Sequence, residues 1–570
     1  MAICRELGRY NPRVTSANRF VLAALVCAAT LGAAAPQAPR PFDILITNAR
    51  IVDGNGGPAI NGSVGVRDGK IADVGTAAGP AARTIDAAGR VLAPGFIDPH
   101  SHSDYTLLVD GNAESKIRQG VTTEVIGESG SVAPRGNDQD VRGTGVTADW
   151  TDFAGYFAAI ERSKTAVNLL SYVGLGQVRE VVMDNAQRAP TADELRKMTA
   201  LVEQAMKQGA YGVSTGLIYP PNAYARVDEL IALSKPAAAA GGLYASHLRY
   251  DGDKLREGIE EAIAIGEGAR LPVHVFHLKV TGQSNFGRIK EVIALVEAAQ
   301  KRGLEISADQ YPYVASSTSL AQTMPPWVQE GGHSNMVERL RDRETRAKIR
   351  KEMEDPKPAW ENRYRSAGTW HNIQLAGISG RSGAPSPNKK YEGMRVDEAA
   401  KQAGKDPFDF VFDLIADSGG VSCVYFIIDE NDLKLAMQQP WVSIGSDGSA
   451  LATSGPLRTG VPHPRNFGTF PRVLGKYVRE EHVISLEQAV HKMSGLTARQ
   501  LHFTDRGLIK TGLAADLVIF DPATVADRAT FTDPFQYPVG IDTVIVNGRV
   551  VLDEGKHTGE RPGVVIRRQR

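Results

Sequence analysis

The chain has 570 residues, enough for a large core in more than one domain. Its 65 basic and 65 acidic side chains balance, so no charge excess directs it to nucleic acid or to an anionic membrane surface. The 58 glycines and 31 prolines are spread along the chain without short repeats or low-complexity runs, which suits an α/β protein with many turns.

Arg5, Arg9, Arg13 and Arg19 precede the apolar run FVLAALVCAATLGAAA, and APQAPRP follows it. A basic region, a short apolar region and small residues describe an export signal over residues 1–35, and predict a periplasmic or secreted protein. The competing reading is a membrane anchor, but a span needs about 20 apolar residues, so no stable membrane insertion is expected. Cys27 follows Val26 rather than a small residue, which argues against a lipoprotein site. Cys4 and Cys27 would leave with the signal, and Cys423 would stand alone without an internal disulfide.

Next come FDILITNARIVDGNG, GSVGVRDGKIADVG and RTIDAAGRVLAPG, alternating β-branched segments separated by Gly-Asn-Gly and Asp-Gly turns. The same texture returns in GLAADLVIFDP, IDTVIVNGRVVLDEG and PGVVIRR. Residues 36–92 and 501–570 are therefore expected to pair into one small β domain built from both termini.

Between them, over residues 93–500, short apolar strands alternate with amphipathic stretches such as TADELRKMTALVEQAMKQG and DKLREGIEEAIAIGEGA. Eight strand segments are predicted: 95–104, 121–129, 167–176, 211–219, 243–250, 271–280, 305–313 and 442–450. Eight βα units suggest a (β/α)₈ barrel, with a doubly wound open sheet as the alternative. The gap between strands seven and eight is too long for one crossover, so an insertion is expected at about 318–417, covering the barrel mouth.

Active sites of such barrels lie at the C-terminal ends of the strands, and the unusual polar residues fall there. His100 and His102 close strand one in PGFIDPHSHSD, His247 closes strand five, His277 strand six and Asp447 strand eight. Period-two alternation points His100 and His102 the same way with Asp98 below them. It also groups His277 and Lys279 with Val273 and Val275, leaving His274 on the other face, packed against a helix. Imidazoles and a carboxylate converging on one rim point to zinc or a similar divalent ion, one or two in number.

With these residues in place, the chain resembles the amidohydrolase superfamily. VTTEVIGESG, STGLIYPP, SHLRY, HVFHLKVTG, DQYPYVASST, GSDGSAL and HPRNFGTFPRVLGKYVRE look like its N-acyl-D-amino-acid deacylase (D-aminoacylase) branch. The resemblance covers nearly the whole mature chain and implies a small β-sandwich domain beside the metal-dependent barrel. It departs in one place, because that branch usually carries a metal-binding cysteine near the end of strand two. Here the text is Gly127-Glu128-Ser129-Gly130; Ser129 holds the position, whereas chemistry favours the Glu128 carboxylate as the ligand. Strand four, YGVSTGLIY, lacks the lysine with which hydantoinase-like relatives bridge two metals, and Lys207 lies on the preceding helix.

The resemblance assigns His247, His277 and Glu128 to a tighter metal site, and His100, His102 and Asp447 to a second. Bound zinc lowers the pKa of water to about 7 and polarises a carbonyl, and Asp447 is the expected proton carrier. Lys279 and Arg465 are candidate partners for a substrate carboxylate, the latter by bidentate pairing. Tyr219, Tyr311 and Ser317 lie just past strand ends, where the family draws substrate contacts, with Tyr313 an alternative to Tyr311. His463 precedes the Arg465 loop without an assigned role. The expected function is hydrolysis of the amide of an N-acyl-D-amino acid or of a dipeptide carrying a D-residue. A cyclic-amide hydrolase, a broader dipeptidase, and a metal-free binding scaffold are the rival readings.

Overall fold

The computed structural model describes residues 41–135, 145–381 and 384–568. The expected export signal, with Cys4 and Cys27, lies outside the described residues. Among the described residues, no helix is long and apolar enough to cross a membrane.

Eight parallel strands follow one another: Phe96–Asp98, Val121–Ile126, Asn168–Ser171 continued by Val173–Gly174, Gly212–Gly216, Leu243–His247, Val273–Val275, Ile306–Gln310 and Val442–Ile444. Each pairs with the next in register. The ring closes between strands eight and one, where Ser101 bridges Gly448. There the Asp447 N–H donates to the His100 carbonyl at 2.8 Å, and the His102 N–H to the Gly448 carbonyl at 3.0 Å. The arrangement is a (β/α)₈ barrel, and every strand falls within a segment predicted from the sequence.

These strands are buried on both faces, and buried polar side chains such as Glu124, Asn168, Thr215 and Asp309 sit among their apolar ones. Ile97, Val125, Leu170, Ala245 and Phe276 form one cluster with Ala498 and Leu501. Val273 and Val275 belong instead to the larger core that includes the helix residues Ile259 and Val292. A representative outer helix, Ala192–Lys207, opens with a capping box in which Thr191 Oγ1 and the Glu194 carboxylate each accept the other's backbone N–H. It buries Met198, Val202, Ala205 and Met206.

Strands of residues 42–94 and 517–557 meet in one sheet, the core of the small β-sandwich domain. Val91–Pro94 lies between Phe42–Ile51 and Leu517–Phe520, which continues to Ile541–Val546 and Arg549–Asp553. Ile46, Leu92, Leu517 and Ile545 share its core. One segment goes elsewhere: PGVVIRR, expected in this domain, runs along barrel strand three. The Leu169 N–H donates to the Val564 carbonyl at 2.9 Å, and the Ile566 N–H to the Leu169 carbonyl at 2.7 Å. Strand three meets strand four only through Val173–Gly174, which leaves an edge at Leu169 that an alternating apolar segment can fill.

The insertion is a body with its own core. Gly420–Tyr425 is the central strand between Ser316–Ser319 and Ile373–Ser379. Helices Gly332–Arg341, Arg343–Met353, Val396–Gln402 and Pro407–Asp417 accompany it, with Leu340, Ile349, Leu375, Phe412 and Cys423 in one cluster. Its sheet begins and ends a few residues outside 318–417, because the strands that anchor it flank the helical part.

Candidate metal centre

The histidines and carboxylates predicted from five strand ends converge. His100, His102, Glu128 and Asp447 present ligand atoms within 4.8 Å of one another, and so do Glu128, His247 and His277. Glu128 belongs to both groups. Its Oε2 accepts from His100 Nε2 at 2.8 Å and lies 3.3 Å from His102 Nε2, while Oε1 lies 3.5 Å from His247 Nδ1. His102 Nε2 donates to Asp447 Oδ1 at 2.9 Å, and His277 Nε2 stands 2.8 Å from His247 Nδ1. His100 stacks on Phe276, with ring centroids 4.1 Å apart.

These side chains lie where the chain leaves its strands. Strand six ends at Val275, and His277 adopts φ +37; strand eight ends at Ile444, and Asp447 adopts φ +50. Alternation therefore fails beyond Val275: it groups His277 with the helix-facing Val273 and Val275, yet the turned backbone brings His277 to the rim. Left-handed conformations of this kind are costly and concentrate at functional sites.

Strand two behaves likewise, and its turn separates Glu128 from Ser129. Gly127 has φ +93 and Ser129 φ +55, and the turn sends Glu128 toward the imidazoles. Ser129 points away, its Oγ donating to Asn222 Oδ1 at 3.0 Å. A Cβ on Gly127 would sit 2.3 Å from the Tyr172 carbonyl oxygen. Gly127→Ala is expected to cost about 2–4 kcal/mol in denaturant unfolding and to release metal, as strain and overpacking add.

His274 requires a correction. It does not simply pack against a helix: Nδ1 is 2.9 Å from Ser307 Oγ, and Nε2 donates to Asp309 Oδ2 at 2.9 Å. His274 is registered opposite Ser307, and Asp309 lies two residues further along the same face. Asp309 also accepts the His277 N–H at 2.9 Å and stands 3.7 Å from His100 Nδ1, so it braces both clusters from beneath. Asp98 is likewise not aimed at the ligands. With Glu124 it holds the buried Lys116 ammonium at 2.7 and 2.9 Å, and Lys116 also donates to Ser446 Oγ and the Gly448 carbonyl, pinning the Asp447 loop.

The electrostatics call for a cation. Burial lowers the His100 pKa, but Asp447, Asp309 and Glu128 outweigh it and lift it to about 10. Burial is opposed in the same way at His102, which Asp447 and Glu128 raise to about 9. Burial disfavours the Glu128 carboxylate, yet the neighbouring imidazoles of His100, His102 and His247 hold it well below the ordinary range. His247 and His277, lowered chiefly by burial, are neutral and suited to ligation. Glu128 Oε1 is buried without a hydrogen-bond partner. Two imidazole–carboxylate sets joined by one carboxylate fit a pair of divalent ions of the zinc type.

A cavity of about 640 Å³ opens above this set. All of the predicted substrate residues line it: Lys279, Arg465, Tyr219, Tyr311 and Ser317. Neither cation is idle. Lys279 Nζ lies 2.8 Å from His277 Nδ1 and 3.2 Å from Asp251 Oδ2, and Arg465 Nη1 lies 2.9 Å from Asp447 Oδ2. Arg465 also covers the Tyr311 ring at 4.9 Å, and the buried Tyr311 hydroxyl has no hydrogen-bond partner. Tyr219 accepts a hydrogen bond from Thr318 of the insertion at 2.9 Å. Tyr313 stacks edge-on against His463 instead of lining the cavity. His463 has a place after all: Nδ1 accepts the Arg465 N–H at 3.0 Å, and Nε2 donates to the Ala315 carbonyl at 3.0 Å. Asp251, Asp309 and Arg363 were missed. Asp309 had a signal, as the lone carboxylate at the end of strand seven, whereas Arg363 sits within the insertion and had none.

A parallel barrel with four imidazoles and two carboxylates gathered at its strand ends defines the metal-dependent hydrolases of the amidohydrolase type. Strand four carries no lysine, and Lys207 is exposed on helix Ala192–Lys207. The family model described as "Amidohydrolase family" matches residues 83–552. A D-aminoacylase from Alcaligenes xylosoxydans xylosoxydans is 38% identical over 536 residues, covering 93% of this chain and 98% of that one. An N-acyl-D-aspartate deacylase of the same organism is 37% identical, covering 93% and 96%. The crystal structure of N-acyl-D-glutamate deacylase from Bordetella bronchiseptica, with zinc and a phosphonate inhibitor, superposes with a TM-score of 0.78 at 34% identity, covering 93% and 100%. The chain belongs to the amidohydrolase family, in its D-aminoacylase and N-acyl-D-amino-acid deacylase branch.

Proposed function

We propose that this protein is a zinc-dependent hydrolase that cleaves the amide of N-acyl-D-amino acids, or of dipeptides with a D-residue, and releases the free amino acid. The observation that carries this reading is the Glu128 carboxylate shared between two histidine clusters at the barrel mouth. The D hand comes from the relatives, whose substrates are D-amino-acid derivatives.

In this reading His247, His277 and Glu128 would hold the tighter ion, and His100, His102 and Asp447 the second, with Glu128 reaching both sets. Such ions would supply Lewis acidity at the scissile carbonyl and activate water. The rest falls to the protein. Asp447 takes a proton as water attacks and returns it to the departing nitrogen, while His102 and Arg465 hold its two oxygens in place. Lys279 and Arg465 attract the substrate carboxylate, and Tyr219, Tyr311 and Ser317 shape the wall around the acyl and side-chain groups.

Purified protein should contain stoichiometric zinc and turn over N-acetyl-D-amino acids but not their L forms in a panel of both hands. Chelation should abolish the activity and zinc should restore it; a fully active metal-free preparation would end this mechanism. The proposal includes export, read from residues 1–35, and is checked by sequencing the N-terminus of the protein recovered outside the cytoplasm.

A further inference from the structure

Arg363 belongs to the insertion, at the start of the short helix Arg363–Ala367, yet its guanidinium is buried beside the barrel loops. Nη1 donates to Asp251 Oδ1 at 2.6 Å and Nη2 to Asp251 Oδ2 at 2.9 Å, so one fork occupies both carboxylate oxygens. Lys279 reaches the same carboxylate only through Oδ2, at 3.2 Å. Both cations line the cavity above the ligand set. Glu361 Oε1, 3.7 Å from Arg363 Nη1, adds to the hold on the guanidinium. Neighbouring contacts fix the segment: Arg365 Nε donates to Asp253 Oδ2 at 2.8 Å, and the Tyr250 hydroxyl to the Ala359 carbonyl at 3.2 Å.

A guanidinium matches both oxygens of a carboxylate, whereas an ammonium is a single point of charge. Asp251 therefore gives both oxygens to Arg363 at shorter range, and Lys279 shares one of them at 3.2 Å. Were the guanidinium removed, Asp251 would close on the lysine as a tight buried pair. We propose that Arg363 is a positioning residue for substrate affinity, saturating Asp251 so that Lys279 remains available to the substrate carboxylate. The inference rests on the hydrolase reading above, with Lys279 as a carboxylate anchor. It makes the insertion a determinant of affinity for substrates with a free carboxylate, acting through a barrel residue.

The test uses the full chain loaded with zinc and the best N-acetyl-D-amino acid of the substrate panel. Arg363→Met should raise KM about tenfold or more with kcat little changed, because a charge-assisted contact to substrate is lost. Adding Asp251→Asn to Arg363→Met removes the competing carboxylate, and KM should return toward the wild-type value. A merely structural bridge predicts the reverse, with the double variant no better than the single one. An unchanged KM in Arg363→Met, or a double variant as impaired as the single, overturns the proposal. Should Arg363→Met fail to fold by thermal melting, the double variant decides alone: a wild-type KM supports the proposal and a rise of about tenfold overturns it. Wild-type protein that turns over no N-acyl-D-amino acid would sink the hydrolase reading instead. Calorimetric binding of the same compound to these variants would then decide the role of Arg363, by the same pattern of loss and recovery.

Discussion

Asp447→Asn is expected to lower turnover by about 10²–10⁴-fold, the range that a positioned proton carrier supplies, while zinc stays bound at His247, His277 and Glu128. The amide keeps the volume of the carboxylate but cannot take the proton from attacking water. Asp447 is shared between His102 on Oδ1 and Arg465 on Oδ2, so the substitution also leaves Arg465 without its ionic partner. Burial opposes the charge on Asp447, but Arg465 and His100 hold its carboxyl well below the ordinary range, so it enters the reaction ionised. Metal analysis and a thermal melt accompany the rate measurement, since breaking a buried pair is itself costly. Normal turnover in a zinc-loaded variant would remove the role assigned to Asp447. Loss of zinc from the tighter site would make Asp447 a structural ligand instead.

The second large effect concerns strand two. Glu128→Gln should strip metal from both clusters together, because each takes one oxygen of the same carboxylate. The loss of affinity should exceed the roughly 10–100-fold that removal of an outer hydrogen-bond partner costs, and activity should vanish with the metal. Ser129→Ala should keep full zinc content and most activity, since Ser129 Oγ serves Asn222 rather than the imidazoles. The paired measurement is metal content after desalting. Retention in Glu128→Gln together with loss in Ser129→Ala would make the hydroxyl the ligand.

The barrel was legible because short strand segments rich in β-branched and apolar residues alternate with helices that carry amphipathic periods, and both signals are local. The candidate ligand set was legible because a barrel gathers its chemistry at one end of each strand, so chain order alone singled out His100, His102, His247, His277 and Asp447, which the fold brings together. Orientation was not. Alternation describes residues within a strand, whereas Glu128, His277 and Asp447 lie past strand ends on turned backbone, and Gly127 was the one visible hint of the turn. His274 was misplaced for want of register, which brings it opposite Ser307 and next to Asp309. Arg363 and Asp251 are 112 residues apart in different bodies, and no local pattern announces a contact of that kind.

Pairing of the first described strand's sheet with segments near residue 545, together with the bridge from Leu169 to Val565, carries a consequence for how the molecule is made. Neither the small-domain sheet nor the edge of strand three is complete until residues 517–566 have been synthesised. Contacts spanning several hundred residues form slowly, because the ends must find each other through a large volume. A ribosome-bound chain still lacking residues 517–566 would hold exposed Leu169 and Leu92 edges, prone to sticking to other chains. Folding of both edges thus waits on residues 517–566, and truncation before Val565 should lower the yield of soluble protein while leaving the residues of the catalytic rim untouched.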